Sequence, residues 1–245
     1  MGAIPPAKLY VIGVGPGDPE LMTLKAARVI ANAPVVAFFA KRGRIGHARS
    51  IAAGWISADA TELRLEYPFT TEVAVRDPRY ARDIGAFYEC AAASIARYLE
   101  SGCEVALLCE GDPFFYGSSL AVLDRLAGTY DTETIPGVTG MSGCWTCAGL
   151  PVARGDDILT VLPGTLDEDR LVERLSACDA AVIMKVGRNL PKICAAVGRV
   201  GLMGRAVYVE HGTMGGERVV RLEQMNGQAA PYFSLVLIPG RQHAR

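Results

Sequence analysis

The chain has 245 residues, half of them apolar and 21% charged, and a formal net charge of −1. That length supplies one large domain or two small ones with a buried core, and the composition is that of a soluble α/β protein. Near-neutrality excludes bulk electrostatics as a drive toward nucleic acid or a membrane surface.

Lys8 to Val14 is an apolar run that reads as a first buried strand, ending in the loop Gly13-Val14-Gly15-Pro16-Gly17-Asp18. A helix follows. Asp18 before Pro19 is one start signal for it and Thr23 is a second. Met22, Ala26, Val29 and Ala33 fall on one face, and Ala33-Pro34 closes the helix. Val35 to Phe39 reads as a second strand, Lys41 to Arg49 as a basic loop, then a short helix to Trp55. Thr61 to Tyr67 reads as a third strand and residues 70–79 as a polar loop. From Tyr80 to Leu99 a helical stripe places Ile84, Phe87, Tyr88, Ala91, Ile95 and Tyr98 together, and Gly102 ends it.

Glu104 to Leu108 reads as the fourth strand. It leads into Cys109-Glu110-Gly111-Asp112-Pro113-Phe114-Phe115-Tyr116-Gly117-Ser118-Ser119, and a helix runs from Leu120 to Leu126. Glycine, aspartate, proline and an aromatic pair thus sit at the carboxyl end of a strand, where open α/β sheets bind ligands. A capped strand-to-helix turn would account for this segment alone. A second Gly-Asp-Pro, Gly17-Asp18-Pro19, also directly after a strand, favours a ligand site.

Thr132 to Ile135 reads as the fifth strand, closed by Pro136-Gly137, and a short helix lies before Leu150. The run Thr134 to Ala153 is uncharged and long enough to span a bilayer. Its prolines and glycines mark it instead as a buried turn and helix. A new α/β set begins at Ile158 to Leu162, with a helix over 167–178, a strand at Ala180 to Met184 and a helix at Leu190 to Val197. Strands at Ala206 to Glu210, Glu217 to Leu222 and Tyr232 to Ile238 complete it. The layout is two α/β domains, 1–137 and 138–245. Met1 to Lys8 has no signal-peptide pattern, and seven cysteines without paired clusters suit a reduced cytoplasmic setting.

The first glycine loop falls short of a dinucleotide fingerprint, because Asp18 stands where GxGxxG needs its last glycine. A carboxylate there repels a pyrophosphate, and Pro16 removes a backbone donor. No Walker lysine follows a glycine loop, and no Ser–His–Asp order or nucleophile elbow is present. Cys144-Trp145-Thr146-Cys147 matches CxxC but lies inside an uncharged helix, so it reads as two packed cysteines. No further His or Cys pair is spaced to complete a zinc site, and no metal ligands are assigned. The basic groups Lys41, Arg42, Arg44, His47, Arg49 and Lys185, Arg188, Lys192 read as solvated loops or as contacts for an acidic substrate.

Three segments, VIGVGPGDPELMTLKAARVI (11–30), VALLCEGDPFFYGS (105–118) and IPGVTGMSGCWTCAGLPVA (135–153), resemble the tetrapyrrole methylase family. These are S-adenosylmethionine-dependent enzymes that methylate uroporphyrinogen and the precorrins. IMKVGRNL (183–190) and VEHGT (209–213) match more weakly. The long first block and IMKVGRN look most like the branch that methylates carbon 20 of precorrin-2 in cobalamin synthesis. The resemblance implies two α/β domains with a cofactor cleft between them, and a homodimer. It implies cofactor contacts at Pro16, Glu110, Gly111, Asp112, Phe115, Tyr116, Thr139, Gly140, Lys185 and Gly212. Lys185 departs from the methionine common in the uroporphyrinogen branch, and Glu110 stands where relatives often carry a glycine.

An acidic loop suits a sulfonium donor better than a phosphate nest does. Direct methyl displacement requires no side-chain nucleophile, because an electron-rich meso carbon attacks. Lys41, Arg42 and Arg44 would meet the macrocycle's carboxylates. Tyr116 and Glu66 are candidates for the proton acceptor. The alternatives are the cobalt-loaded substrate or another ring position and, from other classes, an NAD-binding oxidoreductase or a non-catalytic tetrapyrrole carrier.

Overall fold

A computed structural model describes residues 7–69, 78–225 and 227–240. It separates into two compact units, Met1–Thr139 and Gly140–Arg245. The first holds β1 (Lys8–Gly13), α1 (Leu24–Asn32), β2 (Val35–Lys41), α2 (His47–Ile51) and β3 (Thr61–Tyr67). It continues with α3 (Pro78–Glu100), β4 (Val105–Cys109), α4 (Leu120–Leu126) and β5 (Asp131–Ile135). The strands form one parallel sheet in the order β3-β2-β4-β1-β5.

Period-two alternation splits each strand between two cores. Leu9, Val11, Val35, Ala37, Val105 and Leu107 pack with Ala91 and Ile95 of α3 and Val122 of α4. Ile12, Val36, Phe38, Ala106 and Leu108 pack on the other face with Ala26 and Ile30 of α1 and Ala48 and Ile51 of α2. Burial on both faces is why these strands read as unbroken apolar runs.

Both start signals before α1 are used, for two successive elements. Asp18 accepts the Glu20 N–H at 2.9 Å and caps a 3-10 turn at Pro19–Leu21, while Thr23 Oγ1 accepts the Ala26 N–H at 3.2 Å. The buried face of α1 is Ala26, Ala27 and Ile30, with Met22 and Val29 only partly covered. β4 lies one residue beyond the expected Glu104 to Leu108, because Cys109 still continues the ladder opposite Gly13. The third strand matches its expected limits. Most of the polar loop expected over 70–79 falls outside the described residues.

The second unit holds α5 (Gly140–Cys147), β6 (Leu159–Pro163), α6 (Glu168–Ser176), β7 (Ala180–Met184) and α7 (Leu190–Arg199). It ends with β8 (Val207–Glu210), β9 (Arg218–Arg221) and β10 (Ser234–Ile238). Its sheet is mixed, in the order β6-β7-β10-β8-β9. β6 and β7 run parallel, and β10 runs antiparallel to both β7 and β8. Asp167 stands outside α6 as its cap, accepting the Arg170 N–H at 2.9 Å, so the helix is shorter than the expected 167–178. Arg199 of α7 reaches Glu168 and Asp169 in the first turn of α6, each at 2.9 Å. Leu171, Leu175, Ile193 and Val197 bury against Val182, Ile183 and Val236.

Two expectations change. α5 is less buried than its uncharged sequence implied: only Gly143 and Cys144 are enclosed. The last strands are shorter than read, starting at Arg218 and Ser234. Among the described residues no helix is long and apolar enough to cross a membrane.

Candidate functional site

In the first unit the chain runs β1-α1-β2-α2-β3 with its helices on one face, then returns β3-α3-β4-α4-β5 with helices on the other. The reversal falls between β1 and β4, and a crevice at the carboxyl ends of strands opens at such a switch point. Gly13-Val14-Gly15, Glu110-Gly111-Asp112 and Pro136-Gly137 are the segments that leave β1, β4 and β5 there. Gly111 donates to the Gly15 carbonyl at 2.8 Å, and Val14 donates to the Cys109 carbonyl at 2.9 Å.

Three glycines make this closeness possible. A Cβ on Gly13 would stand 2.6 Å from both the Gly111 oxygen and the Gly137 nitrogen. A Cβ on Gly137 would strike the same Gly111 oxygen and lie 2.9 Å from the Gly13 Cα. Gly111 itself has φ +66°, which favours glycine. The strand ends therefore meet backbone to backbone in one tight junction.

Asp112 locks this junction. One carboxylate oxygen accepts the Phe114 N–H at 2.9 Å, and the other accepts the Gly137 N–H at 3.0 Å. The loop after β4 is thereby tied to the loop after β5, which brings Thr139 beside it in sequence. Glu110 also binds backbone, since its Oε1 accepts the Ala48 N–H at 3.2 Å. That bond supplies α2 with a cap that Gly46 cannot provide.

Glu110 is therefore linked to the basic loop, which immediately precedes α2. Lys41, Arg42 and Arg44 are exposed on a tight turn closed by an Arg44 N–H to Lys41 carbonyl bond of 2.9 Å, with Gly43 at φ +72°. Arg64 of β3 clasps the turn from below, donating to the carbonyls of Lys41 and Arg44 at 3.3 and 2.6 Å. Its Nε also lies 3.0 Å from Glu66, so that carboxylate is already ion-paired.

Pro16 is buried, whereas Tyr116 is 46% exposed and Phe115 meets its ring edge-on at 5.0 Å. Tyr116 has φ +58°. Lys185, His211 and Thr213 are the other non-glycine residues with positive φ among those described. Such residues are held there by their surroundings at a cost of about 1–3 kcal/mol each, and they cluster at functional sites. Lys185 follows β7 and His211 to Thr213 follow β8. These strands are parallel to each other across β10, so their carboxyl ends lie at one end of the second sheet. Gly212, the expected contact there, is buried, and a Cβ on it would stand 2.6 Å from the Cys144 sulfur. Gly140 opens α5 with open space around it.

The resemblance pointed to Gly212 but said nothing of the backbone of its neighbours. His211 and Thr213 carry no sequence signal for a left-handed backbone, because only the folded turn imposes it. Gly13 and Gly137 were legible as loop glycines but not as mutual contacts. Among the described residues no group of three or more His, Cys, Asp or Glu is placed to hold a metal ion.

Two α/β units, one doubly wound and one with a mixed sheet, make up a fold shared with solved tetrapyrrole methyltransferases. The chain belongs to that family: the model for Tetrapyrrole (Corrin/Porphyrin) Methylases matches residues 8–225. It is similar to a precorrin-2 C(20)-methyltransferase of Sinorhizobium, with 49% identity over 98% of each chain. It is also similar to a cobalt-precorrin-2 C(20)-methyltransferase of Salmonella typhimurium, with 29% identity over 94% of this chain and 95% of that one. The uroporphyrin-III C-methyltransferase of Thermus thermophilus, solved in complex with S-adenosylhomocysteine, shares the fold. Its TM-score is 0.65 at 22% identity, covering 94% of this chain and 97% of that one.

Proposed function

We propose that this chain transfers the methyl group of S-adenosylmethionine to carbon 20 of precorrin-2, giving precorrin-3A in cobalamin synthesis. The observation that carries this reading is the 49% identity, over nearly the whole of both chains, to an enzyme of that name. The lower identity to the relative that takes the cobalt-loaded substrate, 29%, favours the metal-free macrocycle.

The residues fit the donor. Gly13 and Gly137 let β1, β4 and β5 end in one tight backbone-to-backbone junction. Glu110 and Asp112 add negative charge beside it, which suits a cation better than a pyrophosphate. When bound, S-adenosylmethionine supplies a methyl carbon on a positively charged sulfur, and direct displacement by the macrocycle's meso carbon needs no side-chain nucleophile. The protein's part is orientation, which can contribute about 7–11 kcal/mol to such a step. We assign cofactor contacts to Pro16, Glu110, Gly111, Asp112, Phe115, Tyr116 and Thr139 in the first unit and to Gly140, Lys185 and Gly212 in the second. Lys41, Arg42 and Arg44 receive substrate carboxylates. The reading includes domains at 1–137 and 138–245, a homodimer and a cytoplasmic setting.

Calorimetric titration with S-adenosylhomocysteine, NAD and ATP in parallel tests the donor class. Binding of S-adenosylhomocysteine alone, followed by a mass gain of one methyl on anaerobic turnover of precorrin-2, is the expected result. Binding of NAD alone would return the chain to the oxidoreductases.

A further inference from the structure

The CxxC motif, Cys144 to Cys147, sits directly under the strained His211–Thr213 turn of the second unit. Gly212 lies flat on Cys144, with room for no Cβ. His211 and Thr213 on either side have φ +51° and +65°. Left-handed backbone is especially unfavourable for a β-branched residue such as threonine. Something must hold it, and the bonds at this turn show what does. The Thr213 N–H is shared between the Cys147 sulfur at 3.1 Å and the Glu217 Oε2 at 3.0 Å. The His211 N–H donates to the Phe233 carbonyl, and the Met214 N–H to the His211 carbonyl, both at 2.8 Å.

A redox role fits poorly. Burial pushes the Cys144 thiol up to about 12 and raises that of Cys147, so neither is a ready thiolate. The Glu217 carboxylate is held below its usual range by the Cys147 thiol and the Thr213 N–H. Thiol, carboxylate and amide thus form one small network around a single backbone N–H.

We propose that Cys147 and Glu217 are positioning residues, which hold the His211–Thr213 turn in its left-handed form so that Gly212 and Thr213 present their backbone to the cofactor. The inference rests on the assignment of Gly212 to the cofactor site. CxxC is then a support for a binding turn: Cys144 is its floor and Cys147 its latch.

The test compares Cys147→Ala, Cys147→Ser, Glu217→Ala and the double variant Cys147→Ala with Thr213→Gly, with Thr213→Gly alone as control. Two readouts are taken: affinity for S-adenosylhomocysteine and hydrogen exchange of the Thr213 amide without ligand. Cys147→Ala and Glu217→Ala are each expected to weaken binding about tenfold, the loss typical of one hydrogen bond, and to speed exchange. Cys147→Ser retains an acceptor and stays within about threefold of the parent. The double variant regains affinity, because glycine adopts positive φ without a latch. Unchanged exchange in both alanine variants overturns the proposal, as does a binding loss that Thr213→Gly fails to rescue. If the parent protein itself binds no S-adenosylhomocysteine, the donor assignment fails, while the exchange rates still decide whether the latch exists.

Discussion

Replacing Asp112 with asparagine separates two roles that a carboxylate in this loop could have. In the structure both its oxygens are acceptors, one for Phe114 and one for Gly137. Asparagine offers one oxygen and turns an NH2 toward the other N–H, so one bond is lost and the remaining one loses its charge. Hydrogen bonds to charged groups contribute about 1.5–3 kcal/mol and neutral ones about 1. Asp112 is half-buried, which places the expected loss near the low end, about 2 kcal/mol. That is a factor of about 30 in the folded-to-unfolded ratio of the first unit. The two tryptophans, Trp55 and Trp145, lie one in each unit. In a Trp145→Phe background, Trp55 fluorescence therefore reports urea unfolding of the first unit alone. The Asp112→Asn variant should unfold at lower urea without ligand and bind S-adenosylhomocysteine more weakly. An unchanged urea midpoint would refute the reasoning, because the two backbone bonds of Asp112 would then contribute nothing to holding the loops together.

Exchanging Arg42 and Arg44 together for alanine should raise the KM for the tetrapyrrole about tenfold through lost charge-assisted contacts, with S-adenosylhomocysteine affinity unchanged; equal KM values would remove the basic turn from the site. Gly137→Ala drives a Cβ onto backbone that cannot yield and should cost about 3 kcal/mol, lowering the melting temperature by about 6–12 °C. Gly54→Ala, with open space around it, is the matched control and should melt like the parent. Alkaline stability follows from the buried thiols. Burial raises Cys109 to about 11 and Cys144 to about 12 from 9.0, so the unfolded chain loses these protons first. Stability is then level below about pH 9 and falls from there toward pH 11–12. Urea midpoints from pH 7 to 11 check this, and Cys144→Ala should make the decline shallower.

The order of elements was legible because burial on both sheet faces writes unbroken apolar strands, and because Thr23 and Asp167 mark helix starts by their own chemistry. The first glycine loop was legible as a turn after a strand, but the use of Asp18 as the cap of the 3-10 turn at Pro19–Leu21 shows only in the structure. The physical use of several other residues was not legible. Glu110 and Asp112 were read as ligand contacts, but their bonds to backbone N–H groups of α2 and of the β5 loop were not foreseen. A sequence names an acceptor but not its donor when the two are 62 or 25 residues apart. The clasp of Arg64 on the basic turn and the left-handed backbone at Lys185 and Thr213 were hidden for the same reason: each is imposed from outside its own segment.

The order of strands in the second sheet has a consequence for synthesis. Among the described residues β10 is the last strand in chain order, yet it lies at the centre, between β7 and β8. Until it emerges from the ribosome, Ala180 to Ile183 and Val207 to Val209 are two open apolar edges with no partner between them. The first unit, whose strands are all translated by Ile135, can fold meanwhile. A ribosome stalled before Ser234 would thus leave a finished first unit joined to an adhesive half-sheet, the kind of edge that recruits strands from other chains. Closure of the second sheet thus waits on Ser234 to Ile238, which alone among the described strands bridge β7 and β8.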